Sequence, residues 1–282
     1  APITTHGPAD VLQPLLLDSP HSGRAFPADF GAAVSEHALR DGEDCYVDEL
    51  WLPATEHGVW LLAAQFARTY LDVNRHHADI DLDLLEGAHW PHEHRPSGKA
   101  AIGKALLWRT LDDGSPIYAR RLAVDEVRSR IARCHAPYHR TLRQRIAATH
   151  ARFGRSFHVD CHSMNALAGT QGEGGAGQPR ADIVLGDRDA TSCDPAFTAF
   201  VREVLTGMGY DVKVNDPFKG VELVRAYADP ATGRHSLQLE INKRLYMDEG
   251  ARAKHEGFAT VQKNLMTLVG AMLDYARCGS RP

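Results

Sequence analysis

Alternating apolar residues at Phe157, Val159 and Cys161 predict a short strand that runs into Asp160, His162 and Ser163. A strand ending in an acid and a histidine, followed by the glycine-rich segment Gly169 to Gly177, is how α/β enzymes hold a reactive group at the carboxyl edge of a sheet. Four other stretches also end on polar groups suited to a site. His21 stands in a turn built by Pro20 and Gly23 after the apolar run Leu15–Leu17; Asp44 and Asp48 are one helical turn apart; Asn74-Arg75 closes the alternating run from Thr69; and Glu240 lies between Gln238 and Asn242. His21, Asp44 or Asp48, and His162 form a two-histidine, one-carboxylate set of the kind that holds a catalytic zinc with one position open, and another divalent transition metal would also suit it. Zinc brings the pKa of a water down to about 7 and polarises a carbonyl, the two needs of amide hydrolysis. Glu240 is placed to be the general base if its strand adjoins that of His162. Asn74 and Arg75 supply a donor–acceptor amide and a planar fork for a substrate carboxylate. No G-x-S-x-G elbow occurs, and the glycine-rich segment lacks the Lys-Ser/Thr ending of a phosphate loop, which disfavours a serine hydrolase or a nucleotide enzyme.

The elements that must position these groups follow from periodicity. Leu15–Leu17 and Val59–Ala64 read as strands buried on both faces, Thr69–Arg75 and Ala101–Arg109 as further strands, and Ala181–Asp187 and Tyr210–Asn215 as two more. In Ser236–Asn242, Leu237, Leu239 and Ile241 share one face, and Gln238, Glu240 and Asn242 the other. Helices are expected over Ala32–Leu39, Pro195–Thr206 and Gly250–Tyr275. The long pattern Ile117–Phe153 reads as two helices interrupted at Pro137, with His135 and His139 at the break. His76 to Pro96, rich in histidine (His89, His92, His94) but broken by Trp90-Pro91 and Arg95-Pro96, reads as an irregular lid more than a ligand set. With no linker or repeat, the expectation is one α/β domain over residues 1–282, a mostly parallel or mixed central sheet with helices on both faces.

Composition sets outer bounds. The 282 residues suffice for a full core, and 43% hydrophobic with 24% charged residues is ordinary for a globular chain. A net charge of −4, from 32 basic and 36 acidic side chains, argues against nucleic acid or an anionic membrane as partner. Five widely spaced cysteines without C-x-x-C suggest neither a disulfide framework nor a thiolate metal site, and 16 histidines are the outlier. No apolar stretch approaches the ~20 residues of a membrane span and no signal-like start is seen, so the cytoplasm is the expected location. Oligomeric state is not readable.

Taken in order, Ser19-Pro20-His21-Ser22-Gly23, Asp44 to Leu50, Asp72-Val73-Asn74-Arg75, Ala136-Pro137-Tyr138-His139, Asp160-Cys161-His162-Ser163-Met164, Phe218-Lys219-Gly220, Leu237-Gln238-Leu239-Glu240 and Leu245-Tyr246-Met247 resemble the motif series of the N-formylglutamate amidohydrolase (deformylase) family. More distantly the series is similar to that of zinc carboxypeptidases and aspartoacylases, and it implies their fold. The resemblance implies a zinc hydrolase releasing formate from N-formyl-L-glutamate at the end of a histidine-degradation route. It implies His21 and His162 as metal ligands, Glu240 as base and Arg75 as a carboxylate binder. The carboxypeptidases place the acidic ligand three residues after the first histidine, where this chain has Arg24, so the acid must come from further on, with Asp44 preferred over Asp48. A dianionic substrate needs a second anchor, for which Arg109 and Arg225 are the candidates. Two other readings stay open: hydrolysis of a different small acidic N-acyl amino acid, and a metal- or small-molecule-binding protein without turnover.

Overall fold

The computed structural model describes residues 1–169 and 175–278, so the middle of the expected glycine-rich loop, 170–174, lies outside the described residues. Seven strands form one sheet: β1 (Ile3–His6), β2 (Leu15–Ser19), β3 (Trp60–Ala64), β4 (Ser156–Met164), β5 (Ile183–Gly186), β6 (Val212–Val214) and β7 (Arg234–Asn242), in the order β1-β3-β2-β4-β7-β5-β6. The central four, β3, β2, β4 and β7, are mutually parallel. β1 runs against β3, and β5 runs against β7 with β6 parallel to it, so the sheet is mixed. The helices are α1 (Glu36–Leu39), α2 (Val47–Trp51), α3 (Val124–Arg130), α4 (Ala136–Phe153), α5 (Pro195–Gly207), α6 (Glu222–Tyr227) and α7 (Gly257–Cys278).

The period of two in the strands divides their side chains between two layers. Leu15, Leu17, Phe157, Val159, Cys161, Leu237, Leu239 and Ile241 face a wholly apolar layer filled by Val47, Leu50 and Trp51 of α2, Phe197 and Val201 of α5, and Leu265, Leu268 and Met272 of α7. Each fully buried aliphatic side chain there contributes about 1.5–3 kcal/mol. On the opposite face Leu16, Trp60 and Leu62 pack under Tyr138, Leu142 and Ile146 of α4. There β4 and β7 turn buried polar groups inward: His158, Asp160 and His162 from one, Ser236, Gln238 and Glu240 from the other. The register pairs Asp160 with Gln238 and His162 with Glu240, side by side at the carboxyl ends of adjacent parallel strands.

Several expected elements differ. Thr69–Arg75 is not a strand, because the Asp72 carboxylate accepts the Asn74 N–H at 2.9 Å and curls the chain into a turn. Ala101–Arg109 is a loop as well. It bends at Gly103 (φ 72°), whose carbonyl accepts the Arg109 N–H at 2.7 Å. Only the last four residues of Ala32–Leu39 are helical, starting after the Ser35 cap. The helix expected to start at Gly250 starts at Gly257. Pro137 does not interrupt the helical path: Ile131–His135 forms one wide π-type turn that joins α3 directly to α4. That widening accommodates a residue with no N–H to donate. His76–Pro96 contains no strand and only two short 3-10 turns, in keeping with an irregular segment.

Candidate active site

β2 delivers its chain to a turn at Pro20–Gly23 in which Gly23 is required by space, since a Cβ there would sit 2.2 Å from the Phe66 carbonyl oxygen. The turn buries His21 completely, and its carbonyl accepts the Asp44 N–H at 3.0 Å. Asp44 therefore sits ahead of α2, not on it; the expectation that Asp44 and Asp48 share a helix face does not hold, because the helix begins at Val47. Asp48, inside the helix, has its carboxylate 3.8 Å from Arg24. The structure groups Asp44 with the two histidines: its Oδ2 is 3.0 Å from His162 Nδ1 and 3.4 Å from His21 Nδ1.

The far side of each imidazole is fixed by a second buried carboxylate. His21 Nε2 lies 2.7 Å from Asp72 Oδ1, and His162 Nε2 lies 2.8 Å from Asp160 Oδ1. Asp72 is braced in turn by Arg68 Nε at 2.9 Å. Burial opposes charge on these acids, yet Arg68 and His21 hold Asp72, and His162 holds Asp160, below the usual carboxylate range. Burial likewise acts against the Asp44 anion, and the hydrogen bond from His162 with the nearby His21 imidazole outweighs it. The same desolvation works against a charged His162, but Asp160 and Asp44 raise its pKa well above the ordinary value.

Two imidazole nitrogens and one carboxylate oxygen, all within 4.8 Å of one another and all buried, could hold a metal ion. The fit is supported by a specific orphan: His21 Nδ1 is buried and has no hydrogen-bond partner. A buried nitrogen left this way is costly unless a ligand meets it, and carboxylates on the remote nitrogens are the usual way to aim metal-binding histidines. The loop histidines contribute no such group among the described residues; His94 Nε2, for example, is taken by the Ile80 carbonyl at 2.9 Å.

A cleft of about 540 Å³ opens over Asp44, His162 and Glu240. Glu240 is 8% exposed, and Gln238 Nε2 donates to its Oε1 at 3.0 Å. Burial pushes its carboxyl up to about 7, against the opposing pull of His162. Arg75 lines the cleft, its guanidinium oriented by the carbonyls of Lys104 (Nε, 3.3 Å) and Asn74 (Nη1, 3.2 Å). Asn74 also lines it but has another use. Its Nδ2 donates to Asp160 Oδ2 at 3.2 Å and lies 3.1 Å from His162 Nε2, while its Oδ1 accepts the Leu223 N–H at 2.9 Å. Its amide thus steadies His162 and the start of α6, so the expected clamp of Asn74 on a substrate carboxylate does not match its contacts.

Arg109 and Arg225 are not brought to the cleft. Arg109 Nε is paired with Asp81 Oδ2 at 2.6 Å, and Arg225 makes a two-pronged pair with Glu222 at 2.7 Å on a half-exposed face of α6. The cleft instead carries Arg68, Lys104, Arg180 and Lys243, none of which the sequence singled out. Lys104 pairs with Asp112 and lies 4.0 Å over the Trp108 ring; burial and Arg68 push its pKa down to about 7. Asp160 was legible as a same-face neighbour of His162 two residues away, and Asp72 from its place in Asp-x-Asn-Arg. The lysines carried no pattern.

One arrangement imitates a serine-hydrolase triad. Ser236 Oγ is 2.6 Å from His158 Nδ1, and His158 Nε2 is 2.9 Å from Asp18 Oδ1. All three are at most 1% exposed, and the Tyr138 hydroxyl closes the other Asp18 oxygen at 2.7 Å. Ser236 is buried and does not line the cleft, and this chain of bonds ties β2, β4, β7 and α4 together.

A family model described as N-formylglutamate amidohydrolase matches residues 13–247. The chain is 33% identical over 243 residues to an N-formylglutamate deformylase of Pseudomonas aeruginosa, covering 84% of both proteins. Its backbone superposes on a crystal structure of an N-formylglutamate amidohydrolase from Ralstonia eutropha with TM-score 0.92 and 44% identity, over 99% of each chain. An Agrobacterium tumefaciens protein of 19% identity shares the fold, with TM-score 0.70 over 96% of this chain and 94% of that one.

Proposed function

The chain belongs to the N-formylglutamate amidohydrolase family, and from that premise we propose that it hydrolyses N-formyl-L-glutamate to formate and L-glutamate, with His21, Asp44 and His162 holding a divalent metal, best zinc, and Glu240 acting as base. The observation that carries this reading is the convergence of the two Nδ1 atoms on Asp44 Oδ2, with His21 Nδ1 otherwise unpartnered, beside a cleft that Glu240 also lines. A metal in that place would act as a Lewis acid toward the formyl carbonyl and acidify a water, which is why the two-histidine, one-carboxylate set suits amide hydrolysis.

The chain's own groups supply the rest. Arg75 takes one substrate carboxylate through its preoriented guanidinium and so fixes the formamide over the His162–Glu240 pair. Glu240 accepts a proton from the attacking water as the water oxygen bonds to the formyl carbon. It then passes that proton to the departing nitrogen as the C–N bond breaks. The products are formate and the amino acid. Asp72 and Asp160 keep the two imidazoles turned so that their Nδ1 atoms face Asp44.

The test is release of formate from a panel of N-formyl and N-acetyl amino acids, run beside metal analysis. N-formyl-L-glutamate should be the preferred substrate. Glu240→Gln should retain its metal and bind substrate while turnover falls by roughly 100- to 10,000-fold, the range for a lost general base. Loss of metal in that variant would make Glu240 a ligand; near-normal turnover would remove it from the chemistry; preference for a different acyl group would reassign the substrate.

A further inference from the structure

Of the lysines and arginines that line the cleft, Lys243 stands out by what faces it. Arg68 has Asp72 at 2.9 Å, Lys104 has Asp112, and Lys219 has Asp189 at 2.8 Å. Lys243 is only 8% exposed, yet its Nζ donates to a neutral amide oxygen, Asn165 Oδ1, at 2.9 Å. Among the described residues no carboxylate lies within ion-pairing distance of it. An ammonium has three donors and is costly to bury without a counter-charge, so a buried one at a cleft wall with one neutral partner is set up to receive an anion.

The fold places this group deliberately. Lys243 directly follows β7, and Asn242 Oδ1 accepts the Arg244 N–H at 3.2 Å, capping the turn that swings Lys243 inward. Tyr246, at the end of the same turn, donates to the Cys45 carbonyl at 2.9 Å and so ties the turn to the segment carrying Asp44. Asn165 follows β4 and is steadied by Arg180 Nη1 on its carbonyl at 3.4 Å. Lys243 and Asn165 are each three residues beyond the paired Glu240 and His162, roughly 10 Å further along the strands. A substrate reaching from the reacting formamide to that corner must be extended and must end in an anion.

We propose that Lys243, with the Asn165 amide, is the specificity residue that binds the second carboxylate of a dicarboxylic N-acyl amino acid. This rests on the proposed function and deepens it: Arg75 binds one carboxylate, and Lys243 reads the other, so the cleft selects glutamyl over glutaminyl substrates. It also supplies the anchor that neither Arg109 nor Arg225 reaches.

The experiment compares kcat/KM for N-formyl-L-glutamate and N-formyl-L-glutamine in wild type, Lys243→Met, Lys243→Arg and Asn165→Asp. Lys243→Met keeps the length without the charge and should lower the glutamate-over-glutamine ratio by about 10- to 100-fold, chiefly through KM. Asn165→Asp, which gives the ammonium a resident counter-ion, should lower the ratio too, while Lys243→Arg should retain most of it. An unchanged ratio in Lys243→Met, or an equal loss in Lys243→Arg, overturns the assignment. Calorimetry with glutarate and butyrate supplies a readout without turnover: wild type should bind glutarate at least about 10-fold tighter, and Lys243→Met should lose that margin. If no N-formyl amino acid is turned over but the glutarate margin depends on Lys243, the hydrolase reading fails and the anion site stands. If N-formylglutamate is turned over while Lys243→Met keeps both the ratio and the margin, the anion site alone fails.

Discussion

Arg75 and Asn74 are neighbours in sequence with separate tasks in the structure. The Asn74 amide is spent at both ends inside the protein, on Asp160 and on the Leu223 N–H. The Arg75 guanidinium is held by two backbone carbonyls and lines the cleft. Arg75→Lys would keep a positive charge but lose the planar fork. It is expected to lower kcat/KM on acidic N-formyl amino acids by at least roughly 10-fold, the worth of one charge-assisted hydrogen bond; an unchanged value would mean that the group does not touch substrate. At this scale the sequence was informative where a residue's neighbours restrict its position. His21 in a Pro–Gly turn, His162 at a strand end and Glu240 on the polar side of a strand can be read that way. Arg109 and Arg225 looked equally suitable as anchors because a guanidinium's partner is set by distant chain, here Asp81, or by an i−3 neighbour, Glu222, whose pairing also depends on exposure.

The elements show why some of the frame was legible and some was not. Strands β2, β4 and β7 follow from alternation or short apolar runs, and their parallel packing puts the candidate groups at one edge. Runs of the same composition at Thr69–Arg75 and Ala101–Arg109 stay irregular, because side-chain and backbone bonds within each run, Asp72 to Asn74 and Gly103 to Arg109, compete with sheet pairing. The sequence marked Pro137 as a break, where the chain instead runs on through a π-type turn, and the purpose of that turn was not legible. His135 Nε2 donates to the Arg75 carbonyl at 3.0 Å and His139 Nε2 to the Val73 carbonyl at 2.8 Å, so the π-type turn and the first turn of α4 together clamp the loop that carries Asn74 and Arg75. Burial lowers the His139 pKa from 6.5 to about 4, and it lowers that of His135 as well. The folded state therefore holds neutral imidazoles while the unfolded chain would protonate them. This contribution to stability is complete above pH 6.5 and is lost progressively as pH falls from 6.5 through about 4. His139→Gln can still donate to Val73 but cannot be protonated. Between pH 7 and pH 5 its melting temperature is expected to drop roughly 2–4 °C less than that of wild type; an equal drop would show that other groups carry the acid sensitivity.

For the whole molecule, a chain of net charge −4 gathers, among the described residues, seven cationic side chains on the wall of one cleft against four carboxylates. Such an arrangement draws in small anions despite the overall sign. The three candidate ligands come from the turn after β2, the segment before α2 and the end of β4, which are brought together only when the sheet is complete. A metal bound to them would have no preformed site in the unfolded chain, so its binding free energy would add to folding free energy. Saturation at about 1,000 times Kd stabilises a folded state by about 4 kcal/mol, which for a chain of this size corresponds to a shift in melting temperature of about 10 °C. Removing metal with a chelator is therefore expected to lower the melting temperature of wild type by about that amount, with full recovery on adding zinc. His162→Ala should melt near the chelated value and respond to neither chelator nor zinc, because the Asn74–Asp160 hydrogen bond that survives the substitution cannot replace the lost nitrogen. Recovery by zinc in His162→Ala would place the metal on other residues, and a wild-type melting temperature indifferent to chelation would mean that the His21–Asp44–His162 cluster is stabilised by its hydrogen bonds alone.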